Sequence, residues 1–524
     1  MRVIHGCTVV SLRDILRRFV VELAVATTLV AVSVTVGWNG SAVAATVTLS
    51  PGDSIQNAVN TNPAGTTFVL QPGVYRNNGV TLSTSNNGDS FIGQAGAIMD
   101  GAIVLTGWTQ VSINGVLYWT TAGGTPLATP ACSNAFSCCM PNYPGCNYVQ
   151  DLYLDDVEYQ HVTSLAGVVA GTSWYYDFDG GDGGIQNNVY LAAADNPNSH
   201  TVELGDTKYA FKGTASNITI QNLVIEKYAP SILSGAIQVL GPNWLIQNNE
   251  VRLNHGIGIS DKQGGDNVQV LGNNVHHNGD SGIGGPGNGG LWDSNTVAYN
   301  NADGVNPDYA GGGSKFTGNN VMISNNIAHD NLGTGLFVDA GGSYDTFDHN
   351  TSYNNYGDGI RYETSRYGTI TNNIVYGNND PSLAQIAYTG SDHGRISGNT
   401  VIDEGHGAIV VVNIVGSRPH GVTPIYTVTD TQVTSNTIWM STNATDLAVG
   451  LIDNAQPHQP GIFSDPTNFF DHNIYEFSAQ TRPSWHWGET ADFLQSISWS
   501  AWRGDGQDPN GTTMQNIPRP GLGQ

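Results

Sequence analysis

The sequence predicts an all-β chain folded as a single-stranded right-handed parallel β-helix, a solenoid of stacked rungs. The first observation is a repeat from about residue 215 onwards, in which a short apolar strand ends in one or two Asn residues. The second is composition: the chain has 66 Gly and only 12% charged residues, against about 25% charged in ordinary soluble domains. The final Asn of each repeat is Asn222, Asn249, Asn274, Asn295, Asn326, Asn350, Asn373, Asn399, Asn436 or Asn473.

The spacing of these Asn residues indicates the size of one rung. Most of them follow one another at intervals in the twenties, the length of a rung of three short strands, and longer intervals indicate insertions. Asn suits the sharp turns because it tolerates the left-handed backbone region. Stacked Asn side chains can also hydrogen-bond to one another along the solenoid. We therefore expect a ladder of Asn at one corner and a core of inward-pointing Ile, Val and Leu.

A short amphipathic helix is predicted near residue 55. Asp53 or Ser54 is a suitable N-cap, and Ile55, Ala58 and Val59 share one helical face. The open end of a β-helix exposes unpaired backbone groups. The helix is therefore expected to cap the N-terminal end of the solenoid.

Residues 1–44 are typical of a signal peptide. Arg13, Arg17 and Arg18 precede an apolar run over residues 19–38, and Ala42-Val43-Ala44 offers a cleavage site. An uncleaved membrane anchor is the alternative. Without this segment the chain keeps 14 Lys and Arg against 41 Asp and Glu. That imbalance argues against nucleic acid as a partner, because phosphate binding needs clustered cations.

Four cysteines remain after the signal peptide, all within a short segment: Cys132, Cys138, Cys139 and Cys146. An even number in an exported protein predicts two disulfides, although the pairing stays open. A metal site is the alternative, but the CxxC spacing is missing.

The chain is expected to have five segments. Four Trp residues near the C-terminus (Trp485, Trp487, Trp499 and Trp502) favour a cap over a sugar-binding face. The segments are a signal peptide (1–44), an N-terminal cap with the first rungs (45–100), elaborated rungs with the Cys-rich disulfide loop (101–214), regular rungs (215–475) and a C-terminal cap or tail (476–524).

Pro72-Gly-Val-Tyr75, the Asn-bearing rungs and the strands that begin with Gly and an aliphatic residue resemble the right-handed β-helix repeat proteins of the pectate-lyase-like superfamily. The resemblance covers most of the chain after the signal peptide and is specific for the fold. It is not specific for an enzyme family, because the Asn-Thr-Asp, Asp-Asp and Arg-Ile-Lys motifs of polygalacturonases are missing. It implies a polysaccharide as the partner.

A column of carboxylates is the candidate catalytic site. In the Gly-aliphatic strands, the second and fourth residues after the Gly point outward on one face. This alternation places Asp308, Asp339 and Glu363 on three successive rungs, about 5 Å from rung to rung. Asp339 is the first choice for an essential residue, Glu363 the second and Asp308 the third. A solvated face with ordinary surface acids is the alternative.

Cations and rings gather around the same rungs, although cations are scarce in the chain. The predicted substrate-binding residues offer hydrogen-bonding groups and rings on which a sugar can stack. They are Arg361, Lys315, Phe337, Asn306, Tyr309, Lys262 and Arg366.

Three functions fit these features. The first is a glycoside hydrolase that uses two carboxylates. The second is a polysaccharide lyase or uronate epimerase, in which the acids hold Ca²⁺ or neutralise the uronate and Lys315 or Arg361 removes the proton. The third is a non-catalytic carbohydrate-binding or surface solenoid.

The expected protein is therefore a secreted or cell-envelope monomer that acts on a polysaccharide or oligosaccharide. No cofactor is expected apart from Ca²⁺ in the lyase alternative, and no membrane contact after signal cleavage.

Overall fold

The structure is a computed structural model that describes residues 45–127, 138–379, 384–405, 407–415, 426–441, 447–478, 484–489 and 497–521. The predicted signal peptide and Cys132 lie outside these ranges. In the described ranges the chain winds through three long parallel sheets, named A, B and C in the order in which each rung visits them. The predicted parallel β-helix is confirmed.

Sheet A has 13 described strands: Thr46–Leu49, Thr67–Leu70, Ser90–Gly93, Thr219–Gln221, Leu245–Gln247, Gln269–Leu271, Leu291–Asp293, Met322–Ser324, Thr346–Asp348, Thr369–Thr371, Arg395–Ser397, Gln432–Thr434 and Phe469–Asp471. Sheet B also has 13: Gly73–Arg76, Ala97–Asp100, Val224–Glu226, Glu250–Arg252, Asn274–His276, Thr296–Ala298, Ile327–His329, Thr351–Tyr353, Ile374–Tyr376, Thr400–Asp403, Thr437–Met440, Ile474–Phe477 and Thr512–Gln515. Sheet C has 12: Val80–Leu82, Phe211–Gly213, Gly235–Val239, Ile257–Asp261, Ser281–Gly285, Gly312–Phe316, Leu336–Val338, Ile360–Glu363, Ile386–Thr389, Gly407–Asn413, Leu447–Asp453 and Ser484–Glu489.

One apolar core runs through the solenoid. Each sheet adds a column of inward side chains, for example Ile237, Ile259 and Ile283 in sheet C. Leu336 and Ile360, predicted to point inward, are both fully buried. The alternation of side chains along these two strands therefore identifies their core residues as predicted.

The predicted Asn ladder lies at the corner between sheets A and B. From Asn249 to Asn473, each ladder Asn donates through Nδ2 to Oδ1 of the next at 2.9–3.1 Å. The same Oδ1 accepts a backbone N–H from the rung before. The ladder thus satisfies buried backbone groups that no strand reaches.

Two members of the predicted ladder were assigned wrongly. Asn222 has φ +57° and holds the left-handed turn position just before the ladder. In the repeat for which Asn274 was predicted, the ladder residue is Asn273, and Asn274 begins the sheet B strand. The turn conformation and the ladder hydrogen bonds therefore belong to two successive residues, which is why many repeats carry an Asn pair.

A second Asn ladder, which the sequence did not reveal, lies at the corner between sheets B and C. Its members are hydrogen-bonded in the same way at 2.8–3.0 Å. They are Asn254, Asn278, Asn300, Asn331, Asn355 and Asn378. Two of the three corners of the regular rungs are therefore fixed by stacked amides.

Helices are few in the described part of the chain. The α-helices are Ile55–Thr61, Gly461–Ser464 and Trp499–Gly504. The 3₁₀ turns are Thr84–Asn86, Leu165–Gly167, Gly181–Gly183, Ala193–Asp195 and Pro197–Ser199. In the first helix Ser54 is the N-cap, and Ile55 and Val59 pack into the core. That the helix caps the solenoid stays a prediction.

An inserted sheet replaces the elaborated rungs expected over residues 101–214. Its eight strands are Ala102–Val104, Thr109–Ile113, Val116–Ala122, Leu152–Leu154, Val157–Val162, Ser173–Asp177, Asn188–Ala192 and Val202–Gly205. All pairings but one are antiparallel. The solenoid resumes with Phe211–Gly213, which pairs directly with Val80–Leu82. The Asn repeat is missing here because this sheet has its own apolar core.

The C-terminal Trp residues belong to the solenoid core. Trp485 and Trp502 are buried, and Trp487 and Trp499 pack against the same cluster. Their position favours closure of the core over stacking on sugar.

The matched pair Asn326→Leu and Asn325→Gly tests the ladder. Leu at 326 leaves the Asn295 N–H and the Trp292 carbonyl without their buried partner, so the free energy of unfolding should fall by about 2–4 kcal/mol. Asn325 is exposed with φ +53°, and Gly fills the same turn position at 272 and 398. Asn325→Gly should therefore stay within about 1 kcal/mol. Urea denaturation followed by Trp fluorescence measures both, and equal losses would contradict the ladder's role.

A buried acid, Asp345, predicts a specific pH dependence. Burial raises its pKa to about 7, above the value of about 3.9 in unfolded chains. The stability that protonated Asp345 contributes is complete below about pH 4 and is lost as pH rises towards 7, up to about 4 kcal/mol. Asn468 fills the equivalent position elsewhere, accepting a backbone N–H as Asp345 does. Asp345→Asn should therefore raise the Tm relative to wild type more at pH 8 than at pH 5. Parallel Tm curves for the two proteins would refute this.

Candidate active site on sheet C

An outward column on sheet C brings three predicted residues together. Phe337 pairs with Arg361 across neighbouring strands. Lys315 lies on the preceding strand. Because the residue after it, Phe316, pairs with Val338, Lys315 lies beside Phe337. The Phe337 ring is 5.1 Å from Lys315 Nζ and 5.5 Å from the Arg361 guanidinium carbon. A ring with a cation on each side is therefore built into three successive rungs.

Asp339 lies two residues beyond Phe337 and points the same way. Its Oδ2 is 3.0 Å from Lys315 Nζ. Its Oδ1 accepts from the Ala340 N–H at 2.6 Å and from the Thr364 hydroxyl at 2.9 Å. Three donors therefore fix the carboxylate of a residue that is only 7% exposed.

Glu363 lies on the next strand, opposite Asp339. Its Oε1 is 3.2 Å from the Arg361 guanidinium, which is also 3.6 Å from the buried carboxylate of Asp358. Neighbouring strands are about 4.8 Å apart. Asp339 and Glu363 are therefore adjacent carboxylates with a cation beside each.

Asp308 was expected to complete the column, and that placement was wrong. The strand of its rung is Gly312–Phe316, so the outward position belongs to Lys315. Asp308 lies exposed in the preceding loop. The rung is longer than its neighbours, and the added residues shift the strand away from the first Gly-aliphatic pair.

Asn306 and Tyr309 lie in this same loop, close to the column. The Tyr309 carbonyl accepts from Lys315 Nζ at 2.9 Å, and the Asn306 N–H donates to the Cys138 carbonyl at 2.7 Å. The loop therefore connects Lys315 to the cysteine segment. Substrate contact by Asn306 or Tyr309 stays a prediction.

Two predicted cations lie outside the group. Lys262 is three strands away from Asp339 in the outward column, and its Nζ donates to the Leu233 carbonyl. Arg366 lies in the turn after its strand, where it binds Asp392 at 2.8 Å. Lys262 thus has a hydrogen-bond partner and the charges of Asp280 and Asp261 nearby, and Arg366 has Asp392 as its counter-charge.

The cysteine segment contains a disulfide between Cys139 and Cys146. Cys138 is disulfide-bonded as well. Cys139 also forms a β-bridge with Val305. The segment is thus fastened to the loop that precedes Lys315.

A second polar group borders a cavity of about 670 Å³ away from the Asp339–Glu363 pair. Asp303, Glu158 and His161 line the cavity, and His255 and Asp151 adjoin Asp303 without lining it. Burial and the Asp303 charge raise the pKa values of Asp151 and Glu158. Burial also lowers the pKa of His161 to about 3. Sequence reasoning missed this group because its members lie far apart in the chain and share no motif.

The cavity and the carboxylate pair are different places, and the pair fits catalysis better. A glycoside hydrolase needs two carboxylates about 5–10 Å apart. In the cavity, Glu158 and Asp303 are hydrogen-bonded directly to each other. Asp339 and Glu363 instead stand one strand apart, beside an aromatic ring.

The comparisons with known proteins agree on the fold. A family model described as a right handed beta helix region matches residues 235–401 and 293–438. A structure described as that of XylC with xylose has a TM-score of 0.60 at 14% identity, covering 90% of this chain and 84% of that chain. The A-module of the mannuronan C-5 epimerase AlgE6 of Azotobacter vinelandii has a TM-score of 0.49 at 15% identity, covering 88% and 94%. No curated protein sequence matches significantly.

The chain is a right-handed parallel β-helix protein. At these identities the likeness to solved structures shows the fold alone. In this β-helix protein, no helix of the described ranges has the length and apolarity to span a membrane.

Proposed function

We propose that this β-helix protein is a glycoside hydrolase in which Asp339 and Glu363 are the two catalytic carboxylates. The observation that carries the proposal is their position on neighbouring strands of sheet C, with a cation beside each. Carboxyl groups about 5–5.5 Å apart are typical of glycosidases that retain the anomeric configuration. The strand spacing of about 4.8 Å gives that separation.

Asp339 is the proposed nucleophile. A nucleophile must be ionised and held in place, and Lys315, the Ala340 N–H and the Thr364 hydroxyl supply a counter-charge and two hydrogen bonds. In the first step, an Asp339 oxygen bonds to the anomeric carbon while the bond to the leaving oxygen breaks. Glu363 gives its proton to that oxygen.

Glu363 then acts as the base of the second step. It takes a proton from a water molecule, whose oxygen bonds to the anomeric carbon as the bond to Asp339 breaks. That proton replaces the one given to the leaving oxygen, so both carboxyl groups regain their starting states.

Phe337 and its two cations are the proposed sugar subsite. The ring is 6% exposed and packs between Lys315 and Arg361, whose nitrogens offer donors to hydroxyl oxygens. The net charge of −25 disfavours a strongly acidic polymer. The structure with a TM-score of 0.60 was solved with xylose, so xylosides belong among the first substrates to test. An extracellular or envelope location fits the disulfide.

Charge at the pair favours hydrolysis over the calcium-dependent lyase. Calcium binding needs carboxylate oxygens free of other cations. Here the carboxylates of Asp339 and Glu363 already have Lys315 and Arg361 within 3.0 and 3.2 Å. The charge of Asp339 is therefore already balanced by Lys315, and Glu363 holds a proton in the proposed resting state, so neither group needs a metal.

The variants Asp339→Asn and Glu363→Gln test the proposal against Asp308→Asn. Asp339→Asn should lower kcat at least about 1,000-fold on any glycoside, because it removes the nucleophile and almost no volume. Glu363→Gln should impair glycosides with poor leaving groups far more than activated aryl glycosides, and added azide should restore part of the activity. Asp308→Asn, an exposed loop acid, should stay within about twofold of wild type. Assays on neutral and acidic polysaccharides and on aryl glycosides, including xylosides, measure these rates.

The stereochemistry of the product gives a second test. Proton NMR of the first product should show the anomeric configuration of the substrate. Inversion would contradict the proposed separation of the pair, and unsaturated uronate products would indicate a lyase. Full activity of Asp339→Asn would exclude it as the nucleophile, and binding without cleavage of any substrate would favour the non-catalytic solenoid.

A further inference from the structure

A second polar group lies where the inserted sheet meets the solenoid. Asp151 comes from the inserted segment, just before the strand Leu152–Leu154. His255 and Asp303 come from the corner between sheets B and C, two rungs apart. Tyr153 joins the same two parts by donating to the Leu253 carbonyl at 2.7 Å. The inserted segment and the solenoid therefore place three ligand-type side chains in one spot.

The geometry of the group is compact. His255 Nδ1 is 3.1 Å from both carboxylate oxygens of Asp151 and 2.9 Å from Oδ2 of Asp303. One ligand atom from each of the three residues lies within 4.8 Å of the others. Asp151 and His255 are at most 4% exposed, and the Asp303 side chain is 10% exposed. Glu158 is hydrogen-bonded to Asp303 and adds a fourth ligand-type group.

Gly279 allows this approach. It occupies the rung between His255 and Asp303, and a Cβ there would lie 1.8 Å from Asp303 Oδ2 and 2.1 Å from the His255 carbonyl oxygen. Any other residue would push the Asp303 carboxylate out of the space it occupies. The two acids and the imidazole are thus brought together across a rung without a side chain.

His161 is the independent sign that something binds here. It is 6% exposed and lines the same cavity as Glu158 and Asp303. Among the described residues, neither of its ring nitrogens has a hydrogen-bond partner. Buried imidazole nitrogens are normally satisfied, so these atoms need a partner that is neither backbone nor side chain.

We propose that Asp151, His255 and Asp303 bind a divalent transition-metal ion, with Glu158 or cavity water completing its coordination. Octahedral ligands about 2.1 Å from an ion lie about 3 Å from one another, which matches the 2.9–3.1 Å separations. An imidazole with carboxylates suits Mn²⁺ or Zn²⁺ better than Ca²⁺, which prefers oxygen alone. Three carboxyl groups beside one imidazole also form a ligand set that can take up a dication when the acids lose their protons to it.

The ion would fasten the inserted sheet to the solenoid. Asp151 and Glu158 belong to the insertion, and His255 and Asp303 belong to the rungs, so one ion would bridge both. His161, above the cavity, would accept a hydrogen bond from a water molecule on the ion. The site does not depend on the proposed hydrolase, because neither Asp339 nor Glu363 borders the cavity.

Metal titration of the full chain tests the proposal. After treatment with a chelator, isothermal titration calorimetry with MnCl₂ or ZnCl₂ should show one ion per chain. Saturation, with the ion at about 100 times its Kd, should raise the Tm by about 2–3 °C. Asp151→Asn and Asp303→Asn should each weaken binding at least about tenfold.

Asp156→Asn is the matched control. Asp156 borders the same cavity, but its side chain is 65% exposed and bound to Lys227, so this variant should keep one ion per chain. Without metal, Asp151→Asn and Asp303→Asn should each unfold in one cooperative transition, as chelated wild type does. That result would show that they fold.

Three outcomes would overturn the site. The wild type could bind neither ion, which would mean that a protonated His255 with two acids is the resting arrangement. It could bind several ions weakly, which would indicate only surface charge. Finally, Asp303→Asn could bind like wild type while Asp156→Asn does not, which would place the ion elsewhere.

Discussion

The structure depends on how each corner of a rung satisfies its buried backbone groups. Strands of three residues leave the N–H and carbonyl groups of the turns without strand partners, and such groups are costly to bury unpaired. In this chain the side-chain amides of two Asn ladders supply the partners at two corners. Because each amide bonds to the one in the next rung, the ladders fix which residues of successive rungs lie side by side. A slip of one residue would break both ladders and reverse every strand face.

Because the register is fixed, the positions of some candidate site residues could be predicted from the sequence. Asp339 and Glu363 lie 24 residues apart on rungs without insertions, so alternation from the Gly-aliphatic pairs gives their positions correctly. Asp308 fails because its rung is longer and the strand begins at Gly312. Local alternation predicts side-chain direction only where the start of the strand is known. An insertion removes that knowledge, and the sequence contains no signal that restores it.

Other features could not be predicted for a different reason. The inserted sheet pairs its strands antiparallel and has its own core, so the Asn pattern that reveals rungs says nothing about it. The Asp151, His255 and Asp303 group combines residues from the insertion and from two rungs. The group can form because Gly279 leaves room for the Asp303 carboxylate. Nothing in the sequence distinguishes this Gly from the other Gly residues, of which the chain has 66 in all. Contacts between the inserted sheet and the solenoid depend on how the two pack together, and no local sequence pattern encodes that packing.

The added residues in the loop before the strand Gly312–Phe316, which displace Asp308 from the column, also connect the two polar sites. At the start of this loop, Asp303 faces His255. Further along, the Asn306 N–H is held by the Cys138 carbonyl, and the Tyr309 carbonyl accepts from Lys315 Nζ. Lys315 in turn contacts Asp339 at 3.0 Å. A short stretch of loop therefore runs from the proposed metal ligands to the counter-charge of the proposed nucleophile. An ion that orders Asp303 would also restrict the loop that positions Lys315. The disulfide between Cys139 and Cys146 supports the same loop from the other side. The rung with the added residues thus departs from the regular repeat. Its loop makes contacts in both the Asp303 group and the Asp339 site.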